Sequence, residues 1–147
     1  MPSLRGYASA INAGAKIYIV GGFDGRRTLR TNDIYQPELD YEGSNPWSSG
    51  ELLPSGRKDM EVASIADILV IIGGIQDEDQ SPPSLMYFTI SDEWQVFGRL
   101  MSQPWKKFAV VSVGSYIYIL GGEMNGKPSD LTFSYLAIYT LSIPIVK

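Results

Sequence analysis

The 147-residue chain contains neither cysteine nor histidine. Without cysteine it can form no disulfide, no thiolate metal site and no cysteine nucleophile. Without histidine it lacks the side chain that most often acts as a general base and as a metal ligand. These absences exclude histidine-dependent serine triads, imidazole-bound zinc and imidazole-ligated haem. We therefore expect no metal, no cofactor and no catalytic residues.

Positive charge is also scarce, with 12 Lys and Arg against 16 Asp and Glu and a net charge of −4. An acidic chain is poorly suited to non-specific binding of nucleic acid or of an anionic membrane. The first residues lack the apolar run of a secretory signal. The apolar stretch 131–146 contains Thr132, Ser134 and Pro144 and is shorter than the roughly 20 residues of a spanning helix. We expect a cytoplasmic protein without nucleic-acid or membrane partners.

A short apolar run that ends in two glycines occurs three times. The pairs are Gly21–Gly22, Gly73–Gly74 and Gly121–Gly122, and their spacing along the chain is nearly constant. Such a run indicates a buried strand followed by a backbone position that favours glycine. A constant period of this length is typical of a repeat array. The sequence therefore divides into repeats of approximately 1–50, 51–98 and 99–147 within one domain.

Each repeat predicts four antiparallel strands. Two apolar strands joined by a short turn lead to the glycine pair, and a polar loop follows it. A tyrosine follows each first glycine at an identical spacing, at Tyr35, Tyr87 and Tyr135, and Trp47 and Trp94 mark a fourth strand. Because the first two strands are apolar on both faces, each sheet must be covered on both sides. Sheets arranged radially in this way form a propeller.

An arginine precedes the first glycine at the same spacing in two repeats, at Arg5 and Arg57, and Trp105 takes this place in the third. The third repeat also has no tryptophan after Tyr135. Tyr139 is a second candidate for the third-strand tyrosine, and residues 142–146 are a candidate outer strand. The last sheet is therefore expected to be irregular.

The unit resembles the kelch repeat, in which a glycine pair closes the second strand and a spaced tyrosine and tryptophan follow. The resemblance covers essentially the whole chain as three copies. It implies an all-β fold of β-propeller blades, about three of them, in an incomplete ring. It also implies that the arginines are structural and hold loops or backbone carbonyls. The expected structural residues are Arg5, Gly21, Gly22, Tyr35, Trp47, Arg57, Gly73, Gly74, Tyr87, Trp94, Gly121, Gly122 and Tyr135.

The loops before the first strand and after the second strand of each blade must meet at one face, because these strands are antiparallel. In the resembled family this face commonly engages partner peptides, and loops on a rigid scaffold often carry recognition. The candidate partner-binding residues are Phe23, Asp24, Arg26, Arg27, Asp59, Gln76, Asp77, Glu78, Asp79, Trp105, Lys107, Glu123, Met124 and Asn125.

The first of these loops is basic and the second is acidic, which favours a partner with segregated charge. The alternative interpretation is that these are solvated loop charges without a partner. The cluster Asp77-Glu78-Asp79 lacks the residue spacing of an EF-hand calcium loop, so we expect no metal there.

Three blades are fewer than the four to eight of a closed propeller. The chain could be part of a longer kelch protein, which we favour, two copies could close a six-bladed ring, or other subunits could cover the end blades. We expect the isolated chain to associate or to fold poorly.

Three functions remain open at this point. The favoured one is a non-catalytic kelch-type module that binds a protein or peptide partner. In the resembled family, such modules serve as substrate receptors of ubiquitin ligases or as adaptors. The alternative is a structural subunit whose open blade faces are buried in an assembly. A sugar-active kelch enzyme such as a mutarotase, using Arg57, Asp59 and Glu61, is the least favoured.

Overall fold

The computed structural model describes residues 1–76, 82–98 and 105–137. Within these residues the chain forms antiparallel sheets and one short helix. The first sheet has its strands in chain order. They are β1 (Ser9–Ala13), β2 (Lys16–Val20), β3 (Asn32–Tyr35) and β4 (Trp47–Ser49), with helix α1 (Pro37–Tyr41) between the last two.

The second sheet repeats this order with β5 (Lys58–Ile65), β6 (Ile68–Ile75), β7 (Ser84–Phe88) and β8 (Glu93–Gly98). The third contains β10 (Ala109–Val113), β11 (Tyr116–Leu120) and β14 (Thr132–Leu136), and a small sheet of β9 (Trp105–Lys106), β12 (Glu123–Met124) and β13 (Lys127–Pro128) adjoins it. The predicted class is confirmed: the sheets are antiparallel propeller-type blades, and the described residues do not close a ring. The candidate outer strand at residues 142–146 and Tyr139 lie outside the described residues.

The sheets pack face to face, and each contact is an apolar core. The first core lies between the first and second sheets and includes Tyr18, Val20, Leu69 and Ile71. The second lies between the second and third sheets; its buried residues are Ala63, Ile65, Val70, Ile72, Trp105, Phe108, Ile117 and Ile119. The second sheet therefore buries both faces, which explains why β6 is apolar without alternation.

Both glycines of each pair have a positive φ; two of the pairs directly follow β2 and β11, and the pair Gly73–Gly74 lies near the end of β6. At Gly21 φ is 60°, and a Cβ there would lie 2.5 Å from the Arg57 carbonyl oxygen. The amide of Gly22 donates to that same carbonyl at 2.9 Å. A side chain at Gly21 would therefore be strained and would collide with the next repeat.

The repeated tyrosines occupy equivalent positions in the third strand of each blade. Tyr35, Tyr87 and Tyr135 each pair with the second residue of the second strand of their blade, β2, β6 and β11. Tyr35 pairs across to Trp47 and Tyr87 to Trp94, with ring centroids 5.0 Å and 4.6 Å apart. Tyr135 thus holds the third-strand position in the described part of the last sheet.

Arg5, Arg57 and Trp105 lie at the same spacing before the first glycine of their repeats, and we call them the anchor residues. Each donates a hydrogen bond to the backbone carbonyl of that glycine. Arg5 Nη1 donates to the Gly21 carbonyl at 3.3 Å, and Arg57 Nη1 donates to the Gly73 carbonyl at 3.5 Å. Trp105 Nε1 donates to the Gly121 carbonyl at 2.8 Å. The indole N–H therefore replaces the guanidinium in the third repeat.

The segment between Tyr35 and Trp47 differs from the sequence expectation. Each repeat was expected to contain four strands and no helix, but Pro37–Tyr41 forms a short helix. Pro37 begins it with a φ already suited to a helix. The Tyr35 hydroxyl donates to Asp40 Oδ2 at 2.7 Å and ties the helix to β3. A helix of 5 residues is too short to show a hydrophobic periodicity, so the pattern of apolar residues in the sequence could not predict it.

The tight turn between β5 and β6 gives a first testable prediction. Ala66 has a φ of 49°, while the equivalent residues of the other repeats, Gly14 and Gly114, have values of 58° and 59°. A left-handed alanine costs roughly 1–2 kcal/mol, and the extra freedom of glycine in the unfolded chain offsets about 0.4–1 kcal/mol. Ala66→Gly should therefore raise the free energy of unfolding slightly, by about 0.5 kcal/mol.

Urea denaturation of the purified chain measures this change, and Gly14→Ala is the matched control that should lower stability. If Ala66→Gly lowered the free energy of unfolding, the strain assigned to this turn would be wrong.

The two anchor arginines give a second prediction, because their surroundings differ. Arg5 forms a buried ion pair with Asp33. Arg57 is fully buried, with Leu85 in the place of the aspartate, and its Nε and Nη2 have no hydrogen-bond partner among the described residues. Its Nη1 donates to the Pro83 carbonyl at 3.0 Å, and desolvation lowers the pKa of Arg57 to about 10.

Arg5→Met should destabilise the chain by about 3–5 kcal/mol, because it leaves Asp33 buried without a cation. Arg57→Met should change the free energy of unfolding by less than about 1 kcal/mol or increase it, because it removes a buried charge that has no acidic partner among the described residues. Chemical denaturation of both variants decides this. Equal losses of unfolding free energy for the two substitutions would show that a group other than those described above compensates the charge of Arg57.

Candidate functional site

The segments before each first strand and after each glycine pair meet at one face, which we call the loop face (residues 3–8, 23–30, 55–59, 76, 105–108 and 123–130). Gly6 and Phe23 exchange backbone hydrogen bonds of 3.0 and 2.8 Å. The ammonium of Lys58 lies 4.3 Å from the centre of the Phe23 ring. Gln76 Nε2 donates to Ser55 Oγ at 2.6 Å. The loops of one repeat are therefore in contact with each other, as the strand directions require, and the contact of Lys58 with Phe23 joins the first two repeats.

The first loop is held in shape by one carboxylate. Asp24 Oδ1 accepts the backbone amides of Arg26 and Arg27 at 2.8 and 2.9 Å. These backbone bonds, that of Arg27 first, lower the pKa of Asp24, so it stays ionised. The side chains of Arg26 and Arg27 are exposed. The loop thus uses its only acid internally and presents two guanidinium groups to solvent.

The third loop is a hairpin of β12 and β13 that carries an ion-paired carboxylate. Glu123 lies 3.0 Å from Lys107 Nζ and 3.5 Å from Lys106 Nζ. The hydrogen bond with Lys107 lowers the pKa of Glu123 and raises that of Lys107. Met124 packs against the second core, while Asn125 is exposed at the tip with a φ of 50°.

Not all of the predicted residues lie on the described surface. Asp77, Glu78 and Asp79 of the second loop are outside the described residues. Trp105 is among the candidate partner-binding residues, but only 1% of its surface is exposed. Its ring lies 5.2 Å from that of Phe108, and its N–H donates to the Gly121 carbonyl. Its side chain therefore belongs to the scaffold rather than to the accessible surface.

The structure brings forward a residue that the sequence reasoning missed. Tyr7, Asp59 and Lys107 have φ values of 58°, 54° and 57°, and each precedes the first glycine of its repeat at the same spacing. The Asp59 amide donates to the Tyr7 carbonyl at 3.1 Å. Tyr7 and Lys107 are exposed and Asp59 is partly exposed. We call these three residues the left-handed triad. The shared spacing was the signal that could have identified Tyr7.

A left-handed conformation is uncommon for residues other than glycine, and such residues cluster at sites that bind ligands. Here the conformation recurs at the same position of three repeats, so it is a property of the blade design. It fixes the direction of the Cα–Cβ bond of three different side chains at the start of the inner strands. The result is an aromatic ring, a carboxylate and an ammonium group that leave the backbone at equivalent positions of the three repeats.

Two kinds of site are not seen in the described part of the chain. No group of three or more carboxylate residues is arranged to hold a metal ion there. Nor does any helix in residues 1–76, 82–98 or 105–137 have the length and apolar character needed to cross a membrane.

Comparison with known proteins agrees with this architecture. The family model described as "Kelch motif" matches residues 4–49. Kelch-like protein 35 of Mus musculus is 30% identical over 111 residues, which are 75% of this chain and 18% of that protein. Alpha-scruin of Limulus polyphemus is 31% identical over 125 residues, or 83% of this chain and 14% of that protein.

A viral relative, kelch repeat and BTB domain-containing protein 1 of Cowpox virus (strain Brighton Red), is 29% identical over 129 residues, 84% of this chain and 22% of that protein. The chain thus spans less than a quarter of the length of each of these relatives. The matched motif, the propeller-type blades and these relatives together place the chain in the kelch-repeat family.

Proposed function

We propose that the chain is a non-catalytic interaction module that binds an extended segment of a partner protein across the loop face. The observation that carries the proposal is the left-handed triad of Tyr7, Asp59 and Lys107. The backbone that carries these side chains is held by the sheet and loses little conformational freedom on binding, and this preorganisation favours affinity. Tyrosine is also a side chain enriched at protein interfaces.

The charges of the face favour a particular kind of segment. Arg26 and Arg27 are exposed, and Asp24 is engaged by their own backbone amides. Arg27 Nε also lies 3.8 Å from Asp24 Oδ2, whereas Lys107 Nζ is held closer to its carboxylate partner, at 3.0 Å from Glu123. An acidic side chain of the partner would therefore be attracted to the first loop, where bidentate pairing with a guanidinium is available.

The relatives support a protein partner in a general way, because two of them are named for kelch repeats and one also for a BTB domain. A cytoplasmic location, a role as an adaptor, and a contribution of Asp77, Glu78 and Asp79 are parts of the same proposal.

The structural-subunit alternative is favoured by one observation, which is that the outer faces of the first and third sheets are apolar and open within the described part of the chain.

A sugar-active enzyme is less well supported. Of the three residues considered for it, Arg57 is fully buried and donates to backbone carbonyls. Glu61 lies on the inner strand β5 and accepts a 3.3 Å hydrogen bond from Ser9 Oγ. An arginine without surface access cannot contact a sugar, so these residues do not form a shared site.

The binding proposal can be tested with peptides selected on the chain from a random display library. Affinity for the best peptide should fall by about tenfold or more in Tyr7→Ala and in the double variant Arg26→Glu/Arg27→Glu, because each removes a contact group. Fluorescence anisotropy of the labelled peptide measures the dissociation constants. Higher salt should weaken binding to the wild-type chain more than to the double variant.

The matched control is Lys16→Glu, an exposed charge reversal at the start of β2, on the hairpin side of the first sheet. It should leave the dissociation constant unchanged. The proposed site would be contradicted if Lys16→Glu weakened peptide binding as much as the loop-face variants do. It would also be contradicted if none of the variants changed the dissociation constant.

Glu61 provides a pH prediction that is independent of binding. Burial raises the pKa of Glu61 above its ordinary value of 4.5, and the bond from Ser9 opposes this only in part. The folded chain therefore holds this proton more tightly than the unfolded chain does. The stability contributed by the protonated form is present below pH 4.5 and is lost as the pH rises through the folded pKa.

Glu61→Gln should therefore unfold at a higher urea concentration than the wild-type chain at pH 7, and the difference should shrink as the pH falls towards 4.5. Urea midpoints at several pH values measure this. The control is Glu93→Gln, at an exposed glutamate of β8, which should show no such trend. A difference that is the same at all pH values would show that Glu61 does not titrate as described.

A further inference from the structure

The third sheet has an apolar face that no described residue covers. Its leading face, which points away from the second sheet, carries Val111, Val113, Tyr116, Tyr118 and Leu120. These side chains share one face because Val111 pairs with Tyr118 and Val113 with Tyr116. Val113 is 59% exposed and Leu120 is 40% exposed.

The same face of the second sheet is filled. The residues equivalent to Val113 and Leu120 are Ile65 and Ile72, which are 5% and 0% exposed. They pack against Ile117 and Ile119 of the next blade in the second core. The leading face of one blade is thus built to receive the opposite face of another blade.

The chain itself displays such an opposite face on its first sheet. This trailing face carries Ala10, Ile17 and Ile19, at the positions of Val110, Ile117 and Ile119 in the third repeat. Ile17 is 36% exposed, whereas the equivalent Leu69 of the second sheet is 0% exposed because the first sheet covers it. The chain therefore carries both halves of the inter-blade contact, one at each end of its row of sheets.

Two further features, one at each end of the row of sheets, support a contact between the leading and trailing faces. A Cβ on Gly73 would meet the Phe108 ring at 2.6 Å and the Trp105 carbonyl at 2.9 Å, whereas a Cβ on Gly121 would meet, among the described residues, only the Ser129 carbonyl, at 3.4 Å. Among the described residues, none fills the place next to Gly121 at which the anchor residue of a following blade would lie. At the other end, Arg5 is already neutralised by Asp33, so burying it would introduce no unpaired charge.

We infer that the leading face of the third sheet binds the trailing face of the first sheet of a second copy of this chain, head to tail. Two such contacts would close a six-bladed ring, within the usual range of propellers. The Gly122 amide would then donate to the Arg5 carbonyl of the other copy, as Gly22 donates to Arg57 within one chain. This inference rests on the blade contacts and is independent of what the loop face binds.

Sedimentation equilibrium of the chain and of two face variants tests the inference. The wild-type chain should be a dimer. Leu120→Asp on the leading face and Ile17→Asp on the trailing face should each weaken dimerisation by about hundredfold or more, because each would bury an unpaired carboxylate. The control Val96→Asp changes an exposed residue of β8 in the middle blade and should leave the dimer intact.

Mixing the two variants separates a head-to-tail contact from other dimers. In a mixed pair one junction combines both defects, while the other joins an intact leading face to an intact trailing face. Equimolar Leu120→Asp and Ile17→Asp should therefore form a heterodimer, although each alone is a monomer. Circular dichroism of each variant confirms that its strands are formed.

Several results would overturn the inference. A wild-type monomer that unfolds cooperatively would show that these faces are left open or filled by blades of a longer chain. A dimer that only Leu120→Asp disrupts would show that two leading faces meet. An open series of larger oligomers would show that the contact is head to tail but does not close with two copies.

Discussion

The burial of apolar sheet faces is the constraint on which the rest of this structure depends. A single blade of this sequence is apolar on both sides, and only neighbouring sheets can remove those sides from water. The second sheet has two neighbours and is therefore the most completely buried part of the described chain. The first glycine pair supports this contact directly, because the Gly22 amide donates to the Arg57 carbonyl of the next repeat.

Much of this fold follows from the sequence because its determinants are local and are repeated. A glycine pair, a tyrosine at a constant distance after it and a paired tryptophan each occupy a fixed register, as Tyr87 and Trp94 do in the second blade. What spacing could not reveal was how similar residues differ in their surroundings. Arg5 meets Asp33 whereas Arg57 meets a backbone carbonyl, because Leu85 replaces the acid.

The candidate site was harder to predict, because it depends on backbone conformation and burial rather than on residue type. Phe23, Asp24 and Glu123 were identified as loop residues from their place after the glycines. Tyr7 was missed, since nothing about a tyrosine indicates a positive φ. Trp105 was assigned to the surface because it lies near a loop, and its burial became apparent only when its N–H was seen to reach a carbonyl.

The anchor position has a consequence for how such repeats diverge. Arg5, Arg57 and Trp105 differ in charge, shape and chemistry, and yet each delivers an N–H to the carbonyl of the first glycine. This position therefore requires an N–H donor of sufficient reach and not one particular side chain. A substitution that keeps such a donor, as between Arg57 and Trp105 in successive repeats, is compatible with the same blade shape.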